Sequence, residues 1–297
     1  MKMINFGSLN VDYVYKVPHV IVRGETLSAT DRNIFPGGKG LNQSVALSRA
    51  GLEVYHAGCI GKGGEILLRV LRDAGVNTDF VRCLDDIPVG HTIIQNTDDG
   101  DNCIILFGGA NQAVTEEQVD QTLRHFEKGD WIVLQNEINN LKYIIEKAHE
   151  TGMTIVLNPS PMNEKINDLP LEYVDYFFVN EIEAGQITGY PSDDPEKLME
   201  GLRSIFPKAH TILTLGSAGS VYIYQGEIIR KSIYKVKAVD TTAAGDTFTG
   251  YFLASIIGGR TPEAALDLAA RASAVTVSRP GAAPSIPVMD EVVNFRF

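Results

Sequence analysis

Between about residue 110 and residue 214 the chain alternates short, unbroken apolar runs with stretches of helical period. This rhythm restricts the fold more than any single motif. The runs at 131–134, 154–157, 176–179 and 211–214 read Trp-Ile-Val-Leu, Thr-Ile-Val-Leu, Tyr-Phe-Phe-Val and Thr-Ile-Leu-Thr, and helical periods occupy 141–149, a stretch from 181, and 195–205. A strand that is apolar at every position is buried on both faces, so the pattern predicts an α/β chain. Its doubly wound, mostly parallel central sheet would be flanked by helices. A first strand is expected at 3–7, and 297 residues suit one large domain or two small ones.

Two stretches break the rhythm, at about 11–35 and 88–107. In the second, alternation over 91–96 leads to Asp98-Asp99-Gly100 and then to a further run over 103–107, the pattern of antiparallel hairpin strands. Inserted between βα units, such strands form either a small separate sheet or an added edge of the main one. Repeats, low-complexity tracts and Pro-rich linkers are absent from the sequence.

Composition excludes several classes of function. Hydrophobic residues make up 44% and charged residues 21%, which is ordinary for a globular protein. The 26 basic and 37 acidic residues give a formal charge of −11, which repels nucleic acid and anionic membrane surfaces, so any bound phosphate must be held by local donors and a metal. No run is long and apolar enough to cross a bilayer, and the first residues enter a strand pattern directly, so a cytoplasmic protein is expected. Cys59, Cys83 and Cys103 lack the spacing of a disulfide framework or zinc site, and three buried or half-buried thiols are expected.

Residues 240–249, Asp-Thr-Thr-Ala-Ala-Gly-Asp-Thr-Phe-Thr, put a carboxylate among small residues where an apolar helical pattern begins. The backbone N–H groups of Ala243, Ala244 and Gly245 can approach a ligand closely, and a helix start adds unpaired donors and positive potential. Phosphoryl transfer to an alcohol needs stabilised negative charge and an acceptor for the alcohol's proton. This segment offers both, with Asp246 as the base. A tight strand-to-helix turn capped by Asp246 would read the same.

A second segment, Gly37-Gly38-Lys39-Gly40-Leu41-Asn42-Gln43-Ser44, precedes a helical run to Ala50. With both segments in this order and at this separation, the sequence resembles the ribokinase-like (pfkB-type) carbohydrate kinases, and Ser8-Leu9-Asn10-Val11-Asp12 and residues 281–285 extend the likeness over essentially the whole chain. The first glycine segment is not a Walker A loop, whose Gly-x-x-x-x-Gly-Lys-Ser/Thr spacing it lacks. A dinucleotide fold is also disfavoured, because the first strand leads into Gly7-Ser8-Leu9-Asn10 instead of Gly-x-Gly-x-x-Gly.

The resemblance implies a single kinase domain over 1–297, with the strands of 11–35 and 88–107 forming a lid over the sugar and a homodimer contact. It implies ATP-dependent phosphorylation of a sugar, first among them the 5-hydroxyl of D-ribose, with other family sugars, nucleosides or a non-catalytic sensor as alternatives. Asp246 is then the base and residues 243–245 the anion hole. The sugar is bound by Asn10, Asp12, Gly38, Lys39, Asn42, Glu137 and Asp246. Taken alone, Asn10 and Asp12 would pass for solvated loop or turn formers, and Glu137 for an acid at a helix start.

On the nucleotide side the resemblance implies ATP contacts from Asn180, Thr214, Gly216, Ser217, Gly219 and Gly245. Glu183 would hold Mg²⁺ through water, although Asn180 and Glu183 also read as a helix cap and its capping-box partner. A K⁺ site of mostly backbone carbonyls would draw on Asp240, Thr242, Thr276, Arg279, Gly281 and Ser285. The adenine pocket is expected between the helices starting near 245 and 261. Two features depart from the family pattern: Tyr251 stands where a small residue is usual, and residues 271–273 offer no ring for stacking on a base.

Overall fold

The computed structural model describes residues 1–98 and 101–297, so Asp99 and Gly100 of the expected turn lie outside the described residues. In chain order the strands are β1 (Met3–Phe6), β2 (Asn10–Lys16), β3 (Asp31–Gly37), β4 (Val54–Lys62), β5 (Asn77–Pro88), β6 (Gly90–Asn96), β7 (Asn102–Phe107), β8 (Trp131–Gln135), β9 (Thr154–Asn158), β10 (Tyr176–Asn180), β11 (His210–Thr214), β12 (Ser220–Tyr224) and β13 (Glu227–Lys231). The helices are α1 (Lys39–Arg49), α2 (Glu65–Asp73), α3 (Glu116–Leu123), α4 (Leu141–Thr151), α5 (Glu181–Thr188), α6 (Pro195–Ile205), α7 (Ala244–Ile257), α8 (Pro262–Val277) and α9 (Met289–Asn294).

The main sheet has the order β13-β12-β11-β10-β9-β8-β1-β4-β5. Every pairing from β11 to β5 is parallel, and β12 and β13 add an antiparallel edge. Successive strand residues point to opposite faces, which divides the apolar runs between two cores. Met3, Val133, Val156 and Phe178 pack with Leu41 and Val45 of α1, Phe252 of α7 and Ala269 of α8. Ile4, Ile132, Ile155 and Phe177 pack with Ile144 and Ile145 of α4 and with Leu198 and Leu202 of α6. Unbroken apolar strands are required because both faces are covered.

Helix starts follow local chemistry. Asp194 Oδ1 accepts from the Lys197 N–H at 3.2 Å with Pro195 in the first turn of α6, and Thr261 caps α8 in the same way ahead of Pro262. Each cap satisfies a helix-end donor that has no partner within the helix.

The stretches that leave the βα rhythm form a separate sheet of order β3-β2-β6-β7. β2 pairs antiparallel with β3 and parallel with β6, and β6 pairs antiparallel with β7. Asn10 and Asp12 are not solvated loop residues: both belong to β2, opposite Gly37 and Phe35 of β3, and both are buried. Of the thiols, Cys59 is buried and Cys103 half-buried, but Cys83 is exposed. The difference follows from position, since β5 is an edge strand with one side of its residues facing solvent. Tyr251, the large residue on α7, is fully buried and donates its hydroxyl hydrogen to the Pro287 carbonyl at 2.7 Å, so its bulk is absorbed in the core behind α7.

The order of the strands locates the site. From β1 the chain passes through α1 to β4 on one side, while β8, β9, β10 and β11 extend on the other. Sequence order therefore reverses between β1 and β8, and the crevice at the carboxyl ends of strands beside such a reversal is where open α/β sheets hold ligands.

Candidate active site

Four parts of the chain converge at that crevice: the start of α1, the ends of β8 and β10, and the start of α7. Ala243 precedes α7 with φ 60° and ψ 8°, and no side chain caps the helix. The first-turn N–H groups have no acceptor within the helix, and the macrodipole adds positive potential. The Ala244 N–H is engaged by the Thr241 carbonyl at 3.2 Å. Gly245 is exposed, and a Cβ built on it would meet nothing within 4 Å, so no atom crowds that side of the residue.

A cavity of about 230 Å³ lies against this helix start, lined by Lys39, Asn180, Glu183, Gly245 and Asp246 among others. A second cavity of about 460 Å³ shares Asn180, Thr214, Ala244 and Gly245 with it and extends along Gly216, Ser217 and Gly219. All six residues expected at the nucleotide thus border one cavity. Its far wall includes Phe248 of α7 and Ala270 and Ala274 of α8, as the expected adenine position requires, and also Ile233, Tyr234 and Val236, which sequence reasoning missed. Tyr234 is an aromatic ring in this wall, and the Arg271 guanidinium lies 5.2 Å from its centroid.

The Asp246 carboxylate is 8% exposed and held at both oxygens. Asn42 Nδ2 donates to Oδ2 at 3.0 Å and Gln43 Nε2 donates to Oδ1 at 2.9 Å. Both donors come from the first turns of α1. That helix sits close to the sheet because residue 40 is glycine: a Cβ there would fall 2.3 Å from the Ser8 nitrogen. Gly38, the N-cap of α1, has φ 93°, a conformation that side chains resist.

On the other side of α1, the Glu137 carboxylate accepts from the Lys39 N–H at 3.0 Å and from the Ser8 hydroxyl. Glu137 lies in the turn after β8, four residues before α4 begins, so it is not an acid at a helix start. Asn10 Oδ1 accepts from Asn111 at 2.7 Å, and Asp12 Oδ1 accepts from the Thr92 hydroxyl at 2.6 Å. Asn111 and Thr92 carry no motif, and only the folded chain brings them beside β2. Asn10, Asp12 and Glu137 are not among the residues lining the two cavities above; they adjoin them through the Gly37–Lys39 turn.

Electrostatics follow from burial. Burial pushes the Asp12 carboxyl up to about 6, against the Thr92 hydrogen bond and with help from nearby Glu137. Burial likewise raises Glu137, opposed by the Lys39 charge and the Ser8 hydroxyl. Burial opposes the charge on Lys39, but the carboxylates of Asp246, Glu137 and Glu183 outweigh it and hold the ammonium above its ordinary value. Lys39 therefore stays cationic among three acids.

The Asn180–Glu183 pair is a complete capping box: the Glu183 N–H donates to Asn180 Oδ1 at 2.8 Å and the Asn180 N–H to Glu183 Oε2 at 3.0 Å. Both residues also line the smaller cavity, so the cap and a ligand-facing position coexist. Among the described residues no cluster of three or more His, Cys, Asp or Glu side chains could hold a metal alone. This donor set fits a Mg²⁺ ion that keeps most of its water and takes phosphate oxygens. Asp240 Oδ2 accepts from the Gly281 N–H at 2.9 Å, which joins the 240–242 and 276–285 segments. The hydroxyls of Thr276 and Ser285 are bonded to Ala272 and Ala282 carbonyls, and the Arg279 guanidinium to Glu291. A monovalent cation there would rely on Asp240 and main-chain carbonyls, the oxygen donors such an ion takes.

A family model described as pfkB family carbohydrate kinase matches residues 2–289. The chain is 31% identical to a ribokinase of Haemophilus influenzae over 97% of its own length and 96% of that protein. It is 35% identical to a ribokinase of Schizosaccharomyces pombe over 98% and 96% of the two chains. The solved structure of an Arabidopsis thaliana ribokinase complexed with ribose and ATP superposes with a TM-score of 0.88 at 30% identity, covering 99% of each chain.

The shift at Asp12 has a measurable consequence. Its carboxyl in the folded protein sits near 6 against 3.8 as the reference, so its contribution to stability is complete below about 3.8 and is lost as pH rises through about 6. A shift of this size corresponds to roughly 3 kcal/mol. In urea titrations, the stability of Asp12→Asn relative to the unsubstituted protein should rise between about pH 4 and pH 7 by an amount approaching that figure. A difference that is flat in pH would contradict the assignment.

Proposed function

Because the chain belongs to the pfkB family of carbohydrate kinases, we propose that it is a ribokinase: D-ribose and ATP give ribose 5-phosphate and ADP. The observation that carries this reading is the position of Asp246. Its carboxylate stands in the first turn of an uncapped helix and lines a cavity that shares Asn180, Thr214, Ala244 and Gly245 with the one bordered by the nucleotide-side residues. The likeness to ribokinases along the full chain supports ribose as the acceptor.

Asp246 accepts the proton of the 5-hydroxyl as that oxygen forms its bond to the γ-phosphorus. The bond from that phosphorus to the bridging oxygen breaks, and ADP leaves with the electron pair. Negative charge on the transferring group is met by the first-turn amides of α7, Gly245 foremost, which are already oriented and require no rearrangement. Lys39 adds positive charge on the facing side of the smaller cavity. Asn10, Asp12, Gly38, Asn42 and Glu137 bind the sugar hydroxyls, and Asn180, Thr214, Gly216, Ser217 and Gly219 bind ATP. Glu183 would hold Mg²⁺ through water, and the ion would supply positive charge against the phosphates. Asp240 would hold K⁺, with Thr242, Thr276, Arg279, Gly281 and Ser285 as the surrounding residues, and the ion would steady the loop ahead of α7.

The whole chain acts as one kinase domain whose second sheet is the lid, and ATP as donor together with three free thiols supports a cytoplasmic enzyme. The lid also supports a homodimer. Ile104, Ile105 and Phe107 of its edge strand β7 are 56%, 58% and 47% exposed, a row of apolar side chains beside unpaired strand hydrogen bonds.

In a coupled assay of ADP release across pentoses, hexoses and nucleosides, ribose should give the highest kcat/KM. Asp246→Asn should lower kcat by roughly 10³-fold or more while calorimetric ribose binding persists. Near-normal turnover would refute the mechanism, and a different preferred acceptor would correct the substrate. In the same assay EDTA should abolish turnover until Mg²⁺ is restored, and Na⁺ in place of K⁺ should slow it; equal rates in the two salts would remove the K⁺ site. By sedimentation the protein should be a dimer that Ile105→Glu dissociates, and a monomeric parent would rule out the lid contact.

A further inference from the structure

Behind Asp246 lies a buried chain of carboxamides to which the mechanism assigns no role. Gln43, which donates to Asp246 Oδ1, is fully buried, as are Gln135 and Asn5. Gln135 Nε2 donates to Gln43 Oε1 at 2.6 Å and to Asn5 Oδ1 at 3.0 Å. Asn5 Nδ2 donates to the Gly40 carbonyl at 2.7 Å and to the Ser44 hydroxyl at 2.9 Å. On a separate branch, Gln43 Nε2 also lies 3.3 Å from Asn158 Oδ1, and Asn158 Nδ2 donates to the Phe178 carbonyl at 2.8 Å.

We propose that Gln43 is a positioning residue that holds the Asp246 carboxylate in one orientation, and that Gln135 and Asn5 fix the direction in which the Gln43 amide donates. The proposal rests on the kinase reading of Asp246 given above.

A carboxamide can present either its oxygen or its nitrogen to a neighbour, so its direction must come from the network. A backbone carbonyl has no such freedom and only accepts. The Gly40 carbonyl obliges Asn5 to direct its NH₂ there, which leaves Asn5 Oδ1 as an acceptor. Gln135 must then direct its NH₂ toward Asn5, and the same group meets Gln43 Oε1. Gln43 is left with its NH₂ toward Asp246. The Phe178 carbonyl reaches the same result independently: it fixes Asn158, whose oxygen then also calls for the Gln43 NH₂. Two backbone anchors on different elements thus dictate one direction.

Gln135 Oε1 supplies a second observation. It is buried and has no hydrogen-bond partner among the described residues. An unsatisfied buried acceptor is unfavourable and rare. Here it is the consequence of turning both Gln135 N–H groups to Asn5 and Gln43. Were Gln43 reversed, its oxygen would face the Asp246 carboxylate and its NH₂ would face the Gln135 NH₂. With Asn42 on Oδ2 and Gln43 on Oδ1, rotation of the carboxylate breaks a bond at each oxygen, and the residue so held lines the smaller cavity. Gln43 is fully buried, with its NH₂ directed at Asp246 and Asn158 and its oxygen at Gln135, so it acts through Asp246 and does not touch substrate.

The test is steady-state kinetics on Gln43→Leu and Gln135→Met, each also made in the Asp246→Asn background, with melting curves to verify folding. Gln43→Leu should lower kcat by about 10- to 100-fold with both KM values nearly unchanged, and Gln135→Met by about 10-fold. The double variant should match Gln43→Leu alone, because Gln135 acts through Gln43. In Asp246→Asn neither substitution should reduce the residual rate further. Turnover within about twofold of the parent in Gln43→Leu, losses that multiply in the double variant, or a further fall in the Asp246→Asn background would overturn the proposal. If Gln43→Leu does not fold, Gln135→Met decides alone by the same two criteria. Near-normal turnover of Asp246→Asn itself would overturn the kinase reading first, which keeps the two failures distinct.

Discussion

The site depends on two helix starts, α1 and α7, meeting across the sheet although about two hundred residues separate them. Asn42 and Gln43 from one reach the Asp246 carboxylate of the other. Neither end of that contact has a function by itself. An uncapped helix start among small residues binds an anion but offers no directed base, and a buried carboxylate without donors would be expensive to keep charged. The contact exists because β1 and β8 are adjacent at the point where strand order reverses, and because the glycine at residue 40 lets α1 close on the β1–β2 junction.

Charge is arranged around that contact in a way the net charge of −11 conceals. An acidic protein that takes a polyanionic nucleotide must concentrate positive potential locally. Here it is supplied by the α7 amides and by Lys39, whose charge survives burial because three carboxylates surround it. The acids serve different ends. Glu183 closes a capping box, Glu137 anchors the start of α1 through the Lys39 amide, and Asp246 faces the cavity. The second sheet contributes a further carboxylate, Asp12, raised by burial.

Much of this was legible in the sequence, for physical reasons that can be named. Strands buried on both faces must be apolar at every position, so β8 to β11 declared themselves. The helical period over 195–205 marked α6, and its start is fixed by the Asp194 cap and Pro195, which suit a helix N-terminus. Hairpin alternation marked strands outside the βα rhythm, which the structure gathers in a separate sheet. The β12–β13 edge passed unnoticed although Gln225 and Gly226, both at positive φ, carry its turn signal. Less was legible where a residue's role arises only from long-range contact. Asn111, Thr92 and Tyr234 belong to no local pattern, and Gln43 reads as one more polar residue on a helix until Gln135 and Asn5 are seen behind it. Cys83 was misjudged because a sequence does not reveal which strand lies at a sheet edge.

The central claim is that the Asp246 carboxylate receives the proton of the sugar hydroxyl while the α7 start stabilises the transferring group. A crystal structure of the protein with ribose and a non-hydrolysable ATP analogue tests it most directly. The account predicts an Asp246 oxygen within about 3 Å of the ribose O5 and the γ-phosphoryl oxygens facing the Gly245 amide. A ternary complex in which that carboxylate is directed away from O5, with another group in its place, would contradict it.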